Sequence, residues 1–371
     1  MKIYNSLTKK KEPFVSLSKS LVKIYVCGIT PYDTTHLGHA FTYVFFDVVY
    51  RYLTYQGYNV TYTQNVTDID DDILKKAQEV GKNWKELGDF WTNRFTTDMK
   101  SLNVLPPTHY IKATDSITMI IRIIKALMNK GFAYQIDENV YFSVEKDKKY
   151  GKLSRLSKKE MIILLKERGG DPNDPHKKNP LDFLLWQKSK DDEPYWKSPF
   201  GKGRPGWHIE CSAMNFEYLG KQIDIHGGGY DLIYPHHESE TAQSESFTGI
   251  SPFVRYWLHT AMLKYQGQKM SKSLGNLVLV SDLLQKYSPN AIRYLLLSHH
   301  YRSSWEYKES ELENAEKKVR KLLNTVSKST NNSDLSKISA ALDDDFNTPL
   351  ALALLQKYPT YDLMSLLGFI L

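Results

Sequence analysis

The stretch DLIYPHHESETAQSE, Asp231 to Glu245, sets two adjacent histidines ahead of three glutamates, with His236 and Glu240 four residues apart. On a helix that spacing puts both side chains on one face, as two ligands of one metal must be. Taken alone, such a charged run is more often a solvated helix face. A second stretch, THLGH (Thr35 to His39), places His36 and His39 three residues apart around Gly38. At the start of a helix their rings share one face at its positive end, where backbone amides favour phosphate and Gly38 leaves room for close approach. An isolated HxGH is more often a pair of loop histidines. A third, KMSKSLGN (Lys269 to Asn276), carries Lys269 and Lys272 in a Ser/Gly-containing segment. Flexible ammonium groups on such a loop could close over a triphosphate and neutralise the charge that develops as pyrophosphate leaves. Without companions it reads as a solvated basic loop.

The elements that must position these residues follow from hydrophobic periodicity. KIYVC, from Lys23, reads as a strand that gives way through GITPYDTTHLG to a long helix, HAFTYVFFDVVYRYLTYQG, and then to a second strand, NVTYTQNV. Strand, helix, strand is the unit of a parallel sheet, and ligands gather at the carboxyl ends of its strands, where Cys27 and Thr67 fall. Two helices follow to Leu102. A hairpin (FAYQIDENVYFSV) and the Gly/Pro/Asp/Lys-rich ERGGDPNDPHKKNP mark residues 109–200 as an insertion. Sheet-like patterning resumes at QIDIHGGGYDLIYP, and after Asn276 the pattern is helical.

Composition sets bounds. A chain of 371 residues, 41% hydrophobic, can bury a large core. The apolar run Ile117 to Met128 is interrupted by Arg122 and Lys125 and is too short to span a bilayer, so it reads as a buried helix and no membrane partner is expected. The opening residues resemble no targeting signal. Only Cys27 and Cys211 are present, which points to a reducing compartment, the cytoplasm, rather than a disulfide framework. The net charge of +7 is compatible with a polyanionic partner.

In this order and separation HLGH and KMSKS resemble the paired signature motifs of class I aminoacyl-tRNA synthetases. YVCGITPYD (Tyr25 to Asp33), NVTDIDDD (Asn65 to Asp72), GRPGWHIECSAM (Gly203 to Met214), DIHGGGYDLIYPHHESE and DDDFNTP (Asp343 to Pro349) are similar to blocks of the cysteinyl-tRNA synthetase family. The resemblance implies an α/β fold: a Rossmann-like, doubly wound parallel sheet with an inserted α+β subdomain and a C-terminal helical region. Its divisions are expected at 1–108, 109–200, 201–275 and 276–371. It implies one Zn2+ per chain on Cys27, Cys211, His236 and Glu240, a donor set suited to zinc. It places the substrate cysteine against Cys27, Gly28, Thr67, Trp207 and His236, although Trp207 could instead be core packing. Mg2+-bound ATP is expected at Thr30, His36, Gly38, His39, Lys269, Met270, Ser271, Lys272 and Ser273, with His36, His39, Lys269 and Lys272 stabilising the transition state.

Cysteinyl-tRNA synthetases usually continue past DDDFNTP into a helical domain that reads the anticodon, whereas a short tail follows Pro349 here. The expectation is a minimal form that selects tRNA(Cys) through its acceptor end, with Arg293, Arg302, Lys308, Lys317, Lys318, Arg320 and Lys321 as a basic cluster for phosphates. ERGGDP (Glu167 to Pro172), PYDTTHLGHA and LGNLVLVS also resemble mycothiol ligase, which joins cysteine to glucosaminyl-inositol. Glu240, His226 in DIHGGG and a Lys-, Asn- and Tyr-rich composition favour the synthetase. Intact HLGH and KMSKS disfavour a non-catalytic paralogue.

Overall fold

The computed structural model describes residues 1–270, 274–326 and 332–371. The chain opens with a hairpin, β1 (Lys2–Asn5) and β2 (Lys10–Pro13), then β3 (Leu21–Ile29), α1 (Leu37–Tyr55), β4 (Asn59–Val66), α2 (Asp71–Val80), α3 (Trp84–Ser101) and β5 (His109–Lys112). Next come α4 (Ile117–Asn129), β6 (Ala133–Ile136), β7 (Asn139–Phe142), α5 (Lys158–Glu167), β8 (Phe183–Lys188), β9 (Trp196–Ser198) and β10 (Gly201–Pro205). The chain returns through α6 (Trp207–Leu219), β11 (Ile223–Gly229), α7 (Glu238–Thr248) and β12 (Val254–Thr260). The short strands β13 (Leu263–Tyr265), β14 (Gln268–Lys269) and β15 (Trp305–Glu306) form a small sheet. Helices α8 (Val280–Leu284), α9 (Pro289–Leu297), α10 (Glu309–Thr325), α11 (Asn332–Asp343), α12 (Thr348–Lys357) and α13 (Tyr361–Leu366) complete the C-terminal region.

The main sheet is parallel, in the order β12-β11-β3-β4-β5. Strand order reverses beside β3, so the crevice between the carboxyl ends of β3 and β11 is the natural ligand position of a doubly wound sheet. Alternation along β3 decides what faces where. Val22, Ile24 and Val26 pack with Phe41, Val44 and Val48 of α1, while Tyr25 and Cys27 join the cluster that contains Cys211 and Met214 of α6. Period two along the strand therefore sends Cys27 toward Cys211.

Two expected boundaries shift. Residues 109–112, assigned to the insertion, form β5, whose pairing with β4 puts them in the main sheet. The inserted sheet, β6-β7-β8-β10-β9, runs on to Pro205, because the β9–β10 hairpin straddles the expected end at residue 200. The apolar run within Ile117–Asn129 is helical as expected, burying Ile117, Ile120, Ile123, Ile124 and Leu127 along one side. Among the described residues no helix is long and apolar enough to cross a membrane.

Arg293, expected among the cations that meet phosphate, is instead 1% exposed, its guanidinium bonded to Asp47 of α1 and to the carbonyls of Leu102 (3.0 Å) and Leu367 (2.6 Å). A buried cation persists only where it is paired and fully hydrogen-bonded, and Asp47 supplies that partner. Arg302 is engaged with Asp345 at 2.6 Å. Lys308, Lys317, Lys318, Arg320 and Lys321 stay on the surface.

Candidate functional site

Four donors converge where β3, α6 and the turn before α7 meet. The ligand atoms of Cys27, Cys211, His236 and Glu240 lie within 4.8 Å of one another, and all four residues are buried. Cys27 Sγ stands 3.9 Å from Cys211 Sγ and 3.6 Å from Glu240 Oε1, and His236 Nε2 is 3.0 Å from Glu240 Oε1. Two thiolates at ~2.3 Å from a tetrahedral ion stand ~3.8 Å apart, so the sulfur separation matches a metal at their centre. The cluster could hold a metal, and its mixed sulfur, nitrogen and oxygen donors are of the kind zinc takes.

His208 fixes the orientation of one ligand: its Nδ1 is 3.0 Å from Nδ1 of His236, which leaves Nε2 of His236 toward the cluster. Sequence reasoning did not assign this role, although His208 sits beside Trp207 in GRPGWHIECSAM. It also missed a second layer. His226 Nε2 lies 3.0 Å from Glu240 Oε2, and His237 Nε2 lies 3.3 Å from Cys27 Sγ. His237 Nδ1 is in turn 2.8 Å from His259 Nε2, and His259 Nδ1 is 2.8 Å from Ser6 Oγ. The adjacency of His237 to His236 was a visible signal; a lone His259 in VRYWLHT carried none.

The residues expected to line a cysteine pocket border this cluster. Trp207, at the first position of α6, stacks on His236 at 4.3 Å and lines a cleft of about 680 Å³ with Thr30, Asp70, Arg168, Lys177 and Pro235. Stacking on a candidate ligand at the edge of a cleft separates Trp207 from simple core packing. Thr67 is buried at the end of β4, its amide donating to the Ile29 carbonyl at 2.9 Å and its hydroxyl accepting from Asn65 Nδ2 at 3.2 Å. Gly28 donates to Asn65 Oδ1 at 2.8 Å, and a Cβ there would fall 1.6 Å from the Asn65 carbonyl oxygen.

His36 caps α1, its Nδ1 accepting from the amides of Gly38 (3.1 Å) and His39 (3.3 Å), and its ring stacks on that of His39 at 3.8 Å. The chain beyond KMSKS returns to this point: Leu37 donates to the Val278 carbonyl at 2.8 Å and Val280 to the Thr35 carbonyl at 3.1 Å, bridging His36 to Leu279. Two motifs more than two hundred residues apart are thus tied together by backbone. Lys269 is exposed, 3.4 Å from Asp231, and Met270 is buried with its amide on the Leu263 carbonyl. Ser271, Lys272 and Ser273 lie outside the described residues.

Residues 13–317 match the family described as the class I (C) tRNA synthetase catalytic domain. Over 363 residues the chain is 48% identical to the cysteine–tRNA ligase of Dehalococcoides mccartyi, covering 95% of this chain and 79% of that protein. Cysteine–tRNA ligases of Thermococcus onnurineus (47% identity) and Legionella pneumophila (48%) match over the same 95% of this chain and 78% of theirs. The chain belongs to the cysteine–tRNA ligase family. Among solved structures, a Mycobacterium tuberculosis methionyl-tRNA synthetase in complex with methionyl-adenylate shares the fold, with a TM-score of 0.69 at 16% identity over 91% of this chain and 82% of that one. A putative arginyl-tRNA synthetase of Campylobacter jejuni gives a TM-score of 0.58 at 14% identity over 95% and 85%.

In this member of the family the cluster is electrostatically poised. Burial alone raises the Cys211 thiol, but hydrogen bonding from Cys27 and the nearby His236 bring it down to about 6. Burial lowers His236, yet the charges of Cys211 and Glu240 outweigh it and push the imidazole up to about 10. Glu240 is held at about 2, against burial, by His226 and His236. Cys27 is pushed well up by burial and by Cys211 beside it. Without metal, then, one imidazolium stands between a thiolate and a carboxylate and leaves one negative charge over. Ligation requires a neutral His236 and an ionised Cys27, so each metal bound near pH 8 should release roughly two protons. Metal competes with protons, so affinity rises with pH toward 10; below about pH 6 Cys211 is protonated too and affinity falls more steeply. Calorimetry in buffers of different ionisation enthalpy reads the release directly, and none at pH 8 would contradict this picture.

Proposed function

We propose that this chain activates L-cysteine with ATP to form cysteinyl-adenylate and pyrophosphate, then transfers the cysteinyl group to tRNA(Cys). The observation that carries the reading is the convergence of Cys27, Cys211, His236 and Glu240 at a cleft edge lined by Trp207. A carboxylate oxygen of cysteine attacks the α-phosphorus, the bond to the pyrophosphate oxygen breaks, and no covalent enzyme intermediate is needed. His36 and His39 at the amino end of α1 receive phosphate through their imidazoles and the helix dipole, and Gly38 leaves room for its approach. Lys269 and Lys272 neutralise charge as pyrophosphate departs, and Mg2+ accompanies the triphosphate. Thr30 lines the cleft with Trp207, a position from which it would border the nucleotide.

One zinc per chain would be held by Cys27, Cys211, His236 and Glu240. When bound it supplies a soft Lewis acid that prefers a thiolate to a hydroxyl, and hence rejects serine. The chain's own residues do the positioning: Gly28, Thr67 and Trp207 shape the pocket beside the metal ligands, and the small volume difference between cysteine and serine is left to the donor chemistry. Exposed Lys308, Lys317, Lys318, Arg320 and Lys321 offer phosphate contacts to the acceptor end of tRNA. Both thiols are free, which supports a reducing, cytoplasmic setting.

Paired assays with radiolabelled cysteine and ATP, one offering total tRNA and one glucosaminyl-inositol, test the acceptor. Label is expected on tRNA. Label on the amine alone would replace this reading with that of a small-molecule ligase.

A further inference from the structure

Three buried polar residues, His237, Glu238 and Ser239, stand between the two ligands His236 and Glu240, and the middle one turns away from the cluster. At 100° per residue, Glu238 projects ~200° away from each ligand, so it faces away from the cluster. Its carboxylate, 1% exposed, accepts from the backbone amides of Gly151 (2.9 Å) and Leu153 (3.4 Å) at Oε1 and of Ser154 (2.7 Å) at Oε2. Those amides belong to a turn of the inserted domain. Next along, Ser239 Oγ lies 3.4 Å from the Tyr150 hydroxyl.

The other side of the ligand segment is held by the same domain. Tyr234 is extended (φ −135°, ψ 133°) within an otherwise helical turn, and its carbonyl accepts from the guanidinium of Arg168, which caps α5. This Arg168 lies in ERGGDP, a motif the proposed chemistry leaves unused. The insertion thus grips the segment two residues before His236 and again midway between His236 and Glu240.

We propose that the inserted domain sets the position of the metal-ligand segment, with Glu238 as the positioning residue and Arg168 as its counterpart, so that thiol selectivity depends on the insertion. This rests on the metal reading of the cluster. A carboxylate that accepts three amides has no isosteric substitute: glutamine keeps the shape but turns an amino group toward donors. Outer contacts that orient ligands typically change metal affinity or activity by about ten- to a hundredfold when removed.

The test compares wild type, Glu238→Gln and Val140→Ala in the full chain, Val140 being a buried residue of the inserted sheet that makes no bond to the segment. Each is loaded with zinc, and two quantities are read: release of metal to a chelator, and the ratio of cysteine- to serine-dependent pyrophosphate exchange. Glu238→Gln is expected to release metal about ten- to a hundredfold faster and to lose selectivity by a similar factor, with KM for ATP unchanged. Val140→Ala should lower Tm while leaving both readouts at wild-type values. Should Glu238→Gln not accumulate as folded protein, Tyr150→Phe, which removes the hydroxyl beside Ser239 Oγ, is read in the same way, with a smaller change in the same direction. Wild-type release and selectivity in the readable clamp variant, or equal losses in Val140→Ala, overturn the proposal. Failure of wild type itself to hold zinc would instead overturn the metal reading.

Discussion

Cys211→Ser will leave a folded protein that binds zinc more than about a hundredfold more weakly and no longer rejects serine efficiently. A serine hydroxyl is a harder donor and does not ionise near neutral pH, whereas the Cys211 thiol is brought down to about 6 in its site despite burial. The substitution also removes the sulfur 3.9 Å from Cys27, so Cys27 and Glu240 are left to hold a cation with His236 alone. Discrimination should then fall to what size and polarity of the pocket supply, at most about a hundredfold. Elemental analysis, together with exchange assays using each amino acid, reads both effects. Full metal content in the purified variant would remove Cys211 from the ligand set.

Gly28→Ala should be the most damaging single-methyl addition to the core of the site. Strands β3 and β4 lose register between Val26 and Ile29, and the backbone at Gly28 comes so close to Asn65 that a Cβ would overlap the carbonyl oxygen at 1.6 Å. The obstacle is backbone, not the end of a flexible side chain, so relief requires the strands to part. Parting them breaks the bond from the Gly28 amide to Asn65 Oδ1 and displaces Cys27 and Thr67 on either side. A loss of more than about 4 kcal/mol is expected, at the extreme end of single substitutions. Urea denaturation measures it, and an unchanged midpoint would mean the strands are not packed as described.

The parts legible in the sequence were those with local signals. NVTYTQNV is β4 to the residue, because a parallel strand buried on both faces reads as a bounded, β-rich run. The four-residue step from His236 to Glu240 marked one helical face, and the family resemblance pointed to the two cysteines whose sulfurs lie beside it. What escaped depends on long-range placement. β5 has four residues, too few for a pattern, and it is its pairing with β4 that takes it out of the insertion. The fate of Arg293 is decided by Asp47, 246 positions away, and the partner of His259 is Ser6 across 253. The grip of Gly151 and Ser154 on Glu238 likewise joins segments whose meeting no local pattern encodes.

If a metal on Cys27, Cys211, His236 and Glu240 selects the thiol of cysteine for activation, pyrophosphate exchange without tRNA will show it when measured with cysteine and with serine before chelation, after chelation and after zinc is restored. Strong exchange is expected with cysteine alone, lost on chelation and regained with one zinc per chain. Cysteine-dependent exchange that persists undiminished in metal-free protein, or equal exchange with serine in the zinc-loaded form, would contradict it.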